Sequence, residues 1–220
     1  MRDARKESGR KSLDRIVRGY DRSARIYARF EPLFLIFPRA RRKAVAALKP
    51  RPGMTVLEIG AGTGRNLPYL LDAVGPTGTV IAVDASSGML AEAQKLVETR
   101  DWSNVQLLQQ DAAQLEVQAD LDAVLFSLSY SVLPDPQPAL ARAWKRLRPG
   151  GRVVVMDVGL TYSRFHRLLV PLVRLLDKLG PGDAFSEPWD DLAAYGEVET
   201  EFFMAGFYYV SWIEKGTTGD

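Results

Sequence analysis

The chain has 220 residues, of which 46% are hydrophobic and 25% charged, and its net charge is +2. This composition predicts a folded domain with a substantial core, and so small a charge does not by itself indicate a nucleic-acid-binding protein. Cysteine is absent and histidine occurs once, at position 166, which excludes disulfides and a metal site built on cysteine or histidine ligands.

The first 50 residues are basic and amphipathic. Apolar and aromatic residues recur at helical spacing from Leu13 to Phe30, with arginines between them, which predicts an amphipathic helix. The apolar segment LFLIF then runs through Pro38 into RARRK, a pattern that suits either an interfacial membrane contact or a buried turn. No signal peptide and no apolar run of about 20 residues is visible. We therefore expect a cytoplasmic protein that is peripheral at the inner face of a membrane.

The central part of the chain alternates between strands and helices. Residues 55–67, TVLEIGAGTGRNL, predict a buried strand, a tight turn and the start of a helix. Glycines at every second position, 60, 62 and 64, let backbone N–H groups approach a ligand closely. Further strands are predicted in TVIAVD, VQLLQ, LDAVLFS and RVVVMDV. Because these strands are apolar on both faces, the predicted fold class is α/β, with a doubly wound, mostly parallel sheet.

The C-terminal part predicts a second basic amphipathic helix from Thr161 to Leu179. It is followed by a helical or turn segment up to Gly206 and by a strand in FYYVSWIE, with an antiparallel hairpin at the end of the chain. In a doubly wound sheet, ligands bind beyond the carboxyl ends of the strands. Gly60, Asp84, Asp111, Ser127 and Asp157 all fall at these ends.

The glycine spacing separates two cofactor classes. A nicotinamide dinucleotide site would need GxGxxG, but the position of its third glycine is Arg65. The observed pattern, ExGxGxG from Glu58, instead resembles class I S-adenosylmethionine-dependent methyltransferases, and the resemblance extends from about Tyr20 to the C-terminus. It implies a seven-stranded Rossmann-like sheet with an N-terminal helical cap, divided into a cap at residues 1–50 and a methyltransferase domain at residues 51–220.

The resemblance also implies roles for individual residues. The glycine loop would wrap the amino-acid half of S-adenosylmethionine, Asp84 would accept hydrogen bonds from both ribose hydroxyls, and Asp111 would accept the adenine amino group. Met89 would pack against the adenine ring, and Ala112 would meet it with its backbone N–H. The full predicted cofactor set is Tyr20, Glu58, Gly60, Ala61, Gly62, Gly64, Asn66, Asp84, Ala85, Met89, Asp111, Ala112 and Ser127.

Methyl transfer from a sulfonium is promoted mainly by positioning and by exclusion of water, so it needs neither a metal nor a nucleophilic serine. The candidate catalytic residues are Tyr27, Tyr130 and His166. Tyr27 resembles a tyrosine that covers the cofactor, although Ala28 stands where the pattern commonly has an aspartate. His166 titrates near neutrality and is a candidate general base, with a surface histidine on a basic helix as the alternative.

The methyl acceptor is the least determined feature. The segment YDRSARIYARFEPLF resembles the cap of bacterial phosphatidylethanolamine N-methyltransferases and of ubiquinone/menaquinone C-methyltransferases. We expect a lipophilic or small-molecule acceptor at an anionic membrane surface: first a phospholipid amine, second a quinone precursor. A small-molecule or RNA methyltransferase and a non-catalytic cofactor-binding subunit are the remaining alternatives. Nucleic acid is disfavoured because SLSYSVLPD lacks the NPPY motif.

Overall fold

A computed structural model describes residues 13–30, 37–159 and 187–217. Within these ranges the strands are β1 (Thr55–Ile59), β2 (Thr79–Asp84), β3 (Val105–Gln109), β4 (Leu121–Ser127), β5 (Leu147–Val158), β6 (Glu199–Phe203) and β7 (Tyr208–Glu214). The α-helices of the same ranges are α1 (Leu13–Phe30), α2 (Phe37–Ala47), α3 (Leu67–Val74), α4 (Ser87–Thr99), α5 (Gln137–Arg146) and α6 (Pro188–Leu192). Short 3₁₀ turns occupy Ala112–Gln114 and Tyr130–Val132.

The strands form one seven-stranded sheet in the order β3-β2-β1-β4-β5-β7-β6. The first five strands in sequence are parallel, and β7 lies antiparallel between β5 and β6. The strand order reverses between β1 and β4, so their carboxyl ends form the crevice where doubly wound sheets bind ligands. The predicted fold class and the antiparallel C-terminal hairpin are confirmed.

Helices cover both faces of the sheet. Leu57 and Ile59 of β1 point to one face and join a core that includes Leu140 of α5. Val56 points to the opposite face and packs with Leu67 of α3 and Ala44 of α2. Because both faces are buried, β1 has no polar face, and the fully buried Glu58 needs a polar partner inside the protein.

One segment differs from the sequence-based prediction, and another lies outside the residues that the structure describes. The segment before Gly206 is the strand β6 and not a helix; a turn in which Met204, Ala205 and Gly206 all have positive φ joins it to β7. The helix predicted from Thr161 to Leu179 lies outside the described residues. The division of the chain at residue 50 stays a prediction. None of the helices that the structure describes is long and apolar enough to span a bilayer.

Candidate active site

The glycine loop after β1 is held against β2 by its backbone. The N–H groups of Gly60 and Ala61 both donate to the carbonyl of Val83, at 2.8 and 3.0 Å. Gly60, Gly62 and Gly64 all have positive φ, a conformation that residues with a side chain rarely adopt. A Cβ at Gly60 would lie 2.4 Å from the Cβ of Ser129, whereas a Cβ at Gly62 would meet no atom within 4 Å. Gly62 therefore leaves space in front of the loop.

Asp84 ends β2 and faces this loop. One carboxylate oxygen accepts the N–H of Gly62 and the other accepts the N–H of Ser86, each at 2.8 Å. Burial raises the pKa of the Asp84 carboxyl above its usual value, and these N–H bonds oppose that shift. Each carboxylate oxygen can accept more than one hydrogen bond, so Asp84 retains capacity for a ligand diol.

A hydrogen-bonded chain crosses the other end of the loop. Asn66 precedes α3 but does not cap it with its side chain. Its amide nitrogen donates to Glu58, and its amide oxygen accepts from the guanidinium of Arg41 at 2.9 Å. Glu58 is fully buried and Arg41 is 8% exposed. These hydrogen bonds thus place the buried Glu58 carboxylate and the buried Arg41 guanidinium on opposite sides of the Asn66 amide.

The helix α1 is fixed over the site at two points. The Asp21 carboxylate accepts from the hydroxyl of Ser86 at 2.6 Å and from the N–H of Gly88 at 2.9 Å. At the other end of α1, the guanidinium of Arg65 donates to the carbonyl of Ala28. A helix C-terminus presents carbonyls without intrahelical partners, so a cation is favourable there. These contacts make α1 the predicted N-terminal cap.

Between the loop, the cap and the strand ends lies a cavity of about 350 Å³. Its polar end is formed by the glycine loop, Asp84, Ser86 and Gln110. Its remaining wall is mostly apolar. That wall comprises Leu13, Ile16 and Val17 of α1 together with Leu128, Val132, Leu133, Pro134, Val158 and Tyr208.

Most of the predicted cofactor residues line this cavity, and their binding roles stay predictions. These are Tyr20, Gly60, Ala61, Gly62, Asn66, Asp84, Ala85, Met89, Ala112 and Ser127. The buried hydroxyl of Ser127 makes no hydrogen bond within the described residues, as expected of a group that awaits a ligand. Glu58, Gly64 and Asp111 do not line the cavity. Asp111 instead caps the 3₁₀ turn, accepting the N–H of Ala113 at 2.9 Å.

Of the candidate catalytic residues, the structure describes the side chain of Tyr130 alone. Tyr130 is only 1% exposed and does not line the cavity; its hydroxyl donates to Asp191 at 2.9 Å and its ring packs edge-on against Phe126. Burial and the nearby Asp191 raise the pKa of the Tyr130 phenol. This position argues against a catalytic role for Tyr130, which stays a prediction. His166 lies outside the described residues. Tyr27 lies in α1, where the structure describes its backbone but not its side chain.

We expect Tyr130→Phe to lower the free energy of unfolding by about 1 kcal/mol, since it removes one buried hydrogen bond. Asp191 keeps the bond that its other carboxylate oxygen accepts from Gln137. Chemical denaturation measures this loss. Methyl transfer by the folded variant should match the wild type, and a fall of tenfold or more in the turnover rate would restore the catalytic role.

Arg41, Asp21 and Ser86 were not predicted as site residues. A signal for Arg41 exists: Ala44, Val45 and Leu48 follow it at three, four and seven residues, so it occupies the buried face of α2. An arginine on that face needs a polar partner inside the protein.

Comparison with known proteins agrees with the fold and the loop. The protein family described as "Methyltransferase domain" matches residues 56–151, which contain the glycine loop, Asp84 and Asp111. A demethylmenaquinone methyltransferase of Listeria welshimeri is 23% identical over 232 aligned positions, covering 97% of this chain and 93% of the relative. These matches confirm the predicted resemblance to the class I S-adenosylmethionine-dependent methyltransferases and the predicted cofactor, S-adenosylmethionine.

Other relatives of this chain are matched over part of their length. Aklanonic acid methyltransferase DauC of a Streptomyces species is 34% identical over 139 residues, which cover 63% of this chain and 62% of the relative. The chain spans between 29% and 62% of the length of the first three curated relatives that it matches. A methyltransferase structure from Aquifex aeolicus superimposes with a TM-score of 0.62 at 22% identity, covering 79% of this chain and 88% of that one, and shows the shared fold.

Proposed function

We propose that this protein transfers a methyl group from S-adenosylmethionine to a neutral, lipophilic small-molecule acceptor of the quinone-precursor type. The observation that carries the proposal is the apolar wall beside the glycine loop. Bound S-adenosylmethionine supplies an electrophilic methyl group on a sulfonium. The surrounding residues hold the cofactor, orient the acceptor and exclude water, which is the help that such a displacement needs.

The cofactor end of the cavity fits this proposal. Asp84 faces the loop with acceptor capacity for a diol, Gly62 leaves open space, and Met89 is 4% exposed and lines the same region. The buried hydroxyl of Ser127 offers a further hydrogen-bonding group at the strand ends. A nucleoside carrying an amino-acid tail matches this distribution of acceptors and apolar surface.

The acceptor end favours a quinone precursor over a phospholipid amine. Leu128, Val132, Leu133 and Val158 line it, and Asp84 is the one carboxylate among the described residues that line the cavity. With Asp84 facing the glycine loop, no described carboxylate remains to hold an ammonium group at the apolar wall. A relative that aligns with this chain over 93% of its own length is a demethylmenaquinone methyltransferase.

Membrane contact has less support than the sequence suggests. Of the cluster RARRK, Arg41 is buried in the site, Arg42 lies 5.8 Å from the centre of the Tyr69 ring, and Lys43 pairs with Glu201 at 2.5 Å. A peripheral association therefore rests on other cations. Within the described residues these are the exposed arginines of α1 and α2, which are Arg15, Arg18, Arg22, Arg25, Arg29, Arg39 and Arg42. We retain it as the route by which a lipophilic acceptor reaches the cavity.

The test is an assay with methyl-labelled S-adenosylmethionine and three acceptors: short-chain demethylmenaquinone kept in its reduced quinol form by dithionite, phosphatidylethanolamine in anionic vesicles, and total RNA. The quinol ring carbon is the nucleophile, and it exchanges its proton for the methyl group. We expect label in the quinone alone, and we expect the protein to sediment with the anionic vesicles at low salt. Label in the phospholipid or in RNA would replace the proposed acceptor. Cofactor binding with no transfer to any fraction would favour the non-catalytic cofactor-binding subunit.

A further inference from the structure

We infer that Tyr208 is a catalytic residue whose hydroxyl donates a hydrogen bond to a phenolic oxygen of the methyl acceptor and favours the ionised acceptor. This inference rests on the proposed function and deepens it, since it assigns one residue to the acceptor. Among the described residues of the apolar wall, Tyr208 is the one whose side chain can form a hydrogen bond. It also lies outside the segment 56–151 that matches the family.

The sheet places Tyr208 at the acceptor end of the cavity. Tyr208 begins β7 and pairs with Val158, the last residue of β5. In the strand order, β7 stands four steps from β2, which ends in Asp84, whereas the glycine loop follows β1, next to β2. At about 4.8 Å a step, β2 and β7 lie about 19 Å apart. A cofactor with its ribose at Asp84 that extends along the glycine loop therefore leaves the end at β5 and β7 for the acceptor.

The ring of Tyr208 is held in place by a neighbouring strand. It stacks on Phe203 of β6, with the ring centres 5.7 Å apart and an interplanar angle of 25°. The antiparallel pairing of β6 with β7 sets Phe203 directly opposite Tyr208, which keeps the two rings together. Because the ring is packed before an acceptor binds, the side chain loses little conformational freedom when its hydroxyl forms a hydrogen bond.

The surroundings keep the phenol neutral and able to donate. Burial raises the pKa of the Tyr208 phenol, Arg41 of α2 opposes this shift, and Asp157 of β5 adds to it. A phenol that keeps its proton at neutral pH is a donor, and it stabilises an oxyanion more than a neutral hydroxyl. It therefore lowers the pKa of the acceptor hydroxyl, which releases its proton to water. The charge left on that oxygen is shared with the ring carbon that takes the methyl group.

The experiment measures the ionisation of a phenol bound in the cavity. The probe is 4-nitro-1-naphthol, a coloured bicyclic phenol, added to protein saturated with S-adenosylhomocysteine, and the visible absorbance of its ionised form is followed against pH. We expect the pKa of the bound probe to be about 1 unit lower on the wild type than on Tyr208→Phe, as for one hydrogen bond to a charged oxygen.

Tyr209→Phe is the matched control, since Tyr209 is the next residue of β7 but is fully buried in the core on the other face of the sheet. It does not line the cavity, so the bound probe should keep its wild-type pKa. If the probe has the same pKa on Tyr208→Phe as on the wild type, or if the wild type does not bind the probe, the role of Tyr208 is refuted.

Methyl transfer to the reduced demethylmenaquinone gives a second readout. Tyr208→Phe should lower the turnover rate about 10- to 100-fold at neutral pH, and the loss should shrink as a rising pH ionises the acceptor without help. A loss that is equal at every pH would overturn the catalytic role and leave a structural one. A wild type that transfers no methyl group to the quinol overturns the proposed function, while the probe titration still decides whether Tyr208 donates to a bound phenol.

Discussion

Replacing Asp84 by Ala is expected to weaken the binding of S-adenosylhomocysteine by about 1.5–3 kcal/mol, or roughly 10- to 150-fold. The variant lacks the carboxylate that we propose as the acceptor for the ribose hydroxyls, and the N–H groups of Gly62 and Ser86 lose the acceptor that holds them in place. Titration calorimetry measures the change. Asp72→Ala, at an exposed position on α3, is the control and should leave the affinity within twofold of the wild type.

The pH dependence gives an independent readout of Asp84. Burial raises the pKa of this carboxyl, and the ionised form is the better acceptor for ribose hydroxyls. The affinity for S-adenosylhomocysteine should therefore be highest at pH values above the raised pKa of Asp84, and it should decline as the pH falls through that pKa. Asp84→Asn should show a lower affinity that no longer changes over the same interval. An unchanged affinity in Asp84→Ala would remove this residue from the site.

Local patterns account for the part of the fold that was predicted. Helix α1 includes the whole stretch whose apolar spacing predicted it, because each turn of an amphipathic helix places apolar residues toward the core and polar residues toward solvent. The glycine loop was predictable because positive φ at three alternate positions leaves few alternatives to glycine. A C-terminal hairpin was predicted, but the range of its first strand, β6, was missed because ETEFF has an exposed edge position and lacks the apolar alternation that identifies a half-buried strand.

Contacts between distant residues account for most of what sequence did not reveal. Asp21 joins Ser86 across 65 positions and Arg41 joins Asn66 across 25, and no local pattern encodes either pair. Gly88 shows why: an added Cβ would lie 3.0 Å from Cα of Asp21, so this glycine serves the approach of α1 and not a turn in its own segment. The cap is specified by such pairs, which become visible only once α1 is placed on α4.

Gly60→Ala is expected to lower the free energy of unfolding by about 2–4 kcal/mol, from two separable causes. The positive φ of Gly60 strains any residue with a Cβ, and the added carbon would lie 2.4 Å from the Cβ of Ser129. Ser129 cannot move away easily, because its hydroxyl is bonded to the carbonyl of Ile59 at 2.6 Å. Denaturant unfolding, followed by tryptophan fluorescence, measures the loss.

Gly62→Ala separates stability from binding, because Gly62 has a positive φ but open space where its Cβ would lie. It should lose only about 1 kcal/mol of stability from backbone strain, yet bind S-adenosylhomocysteine at least tenfold more weakly, since the methyl group enters the cavity.

The clash at Gly60 is tested by combining Gly60→Ala with Ser129→Gly, which removes the opposing Cβ. If the contact is the cause, the double variant is more stable than the sum of the single losses predicts; simple additivity would assign the whole effect to backbone strain.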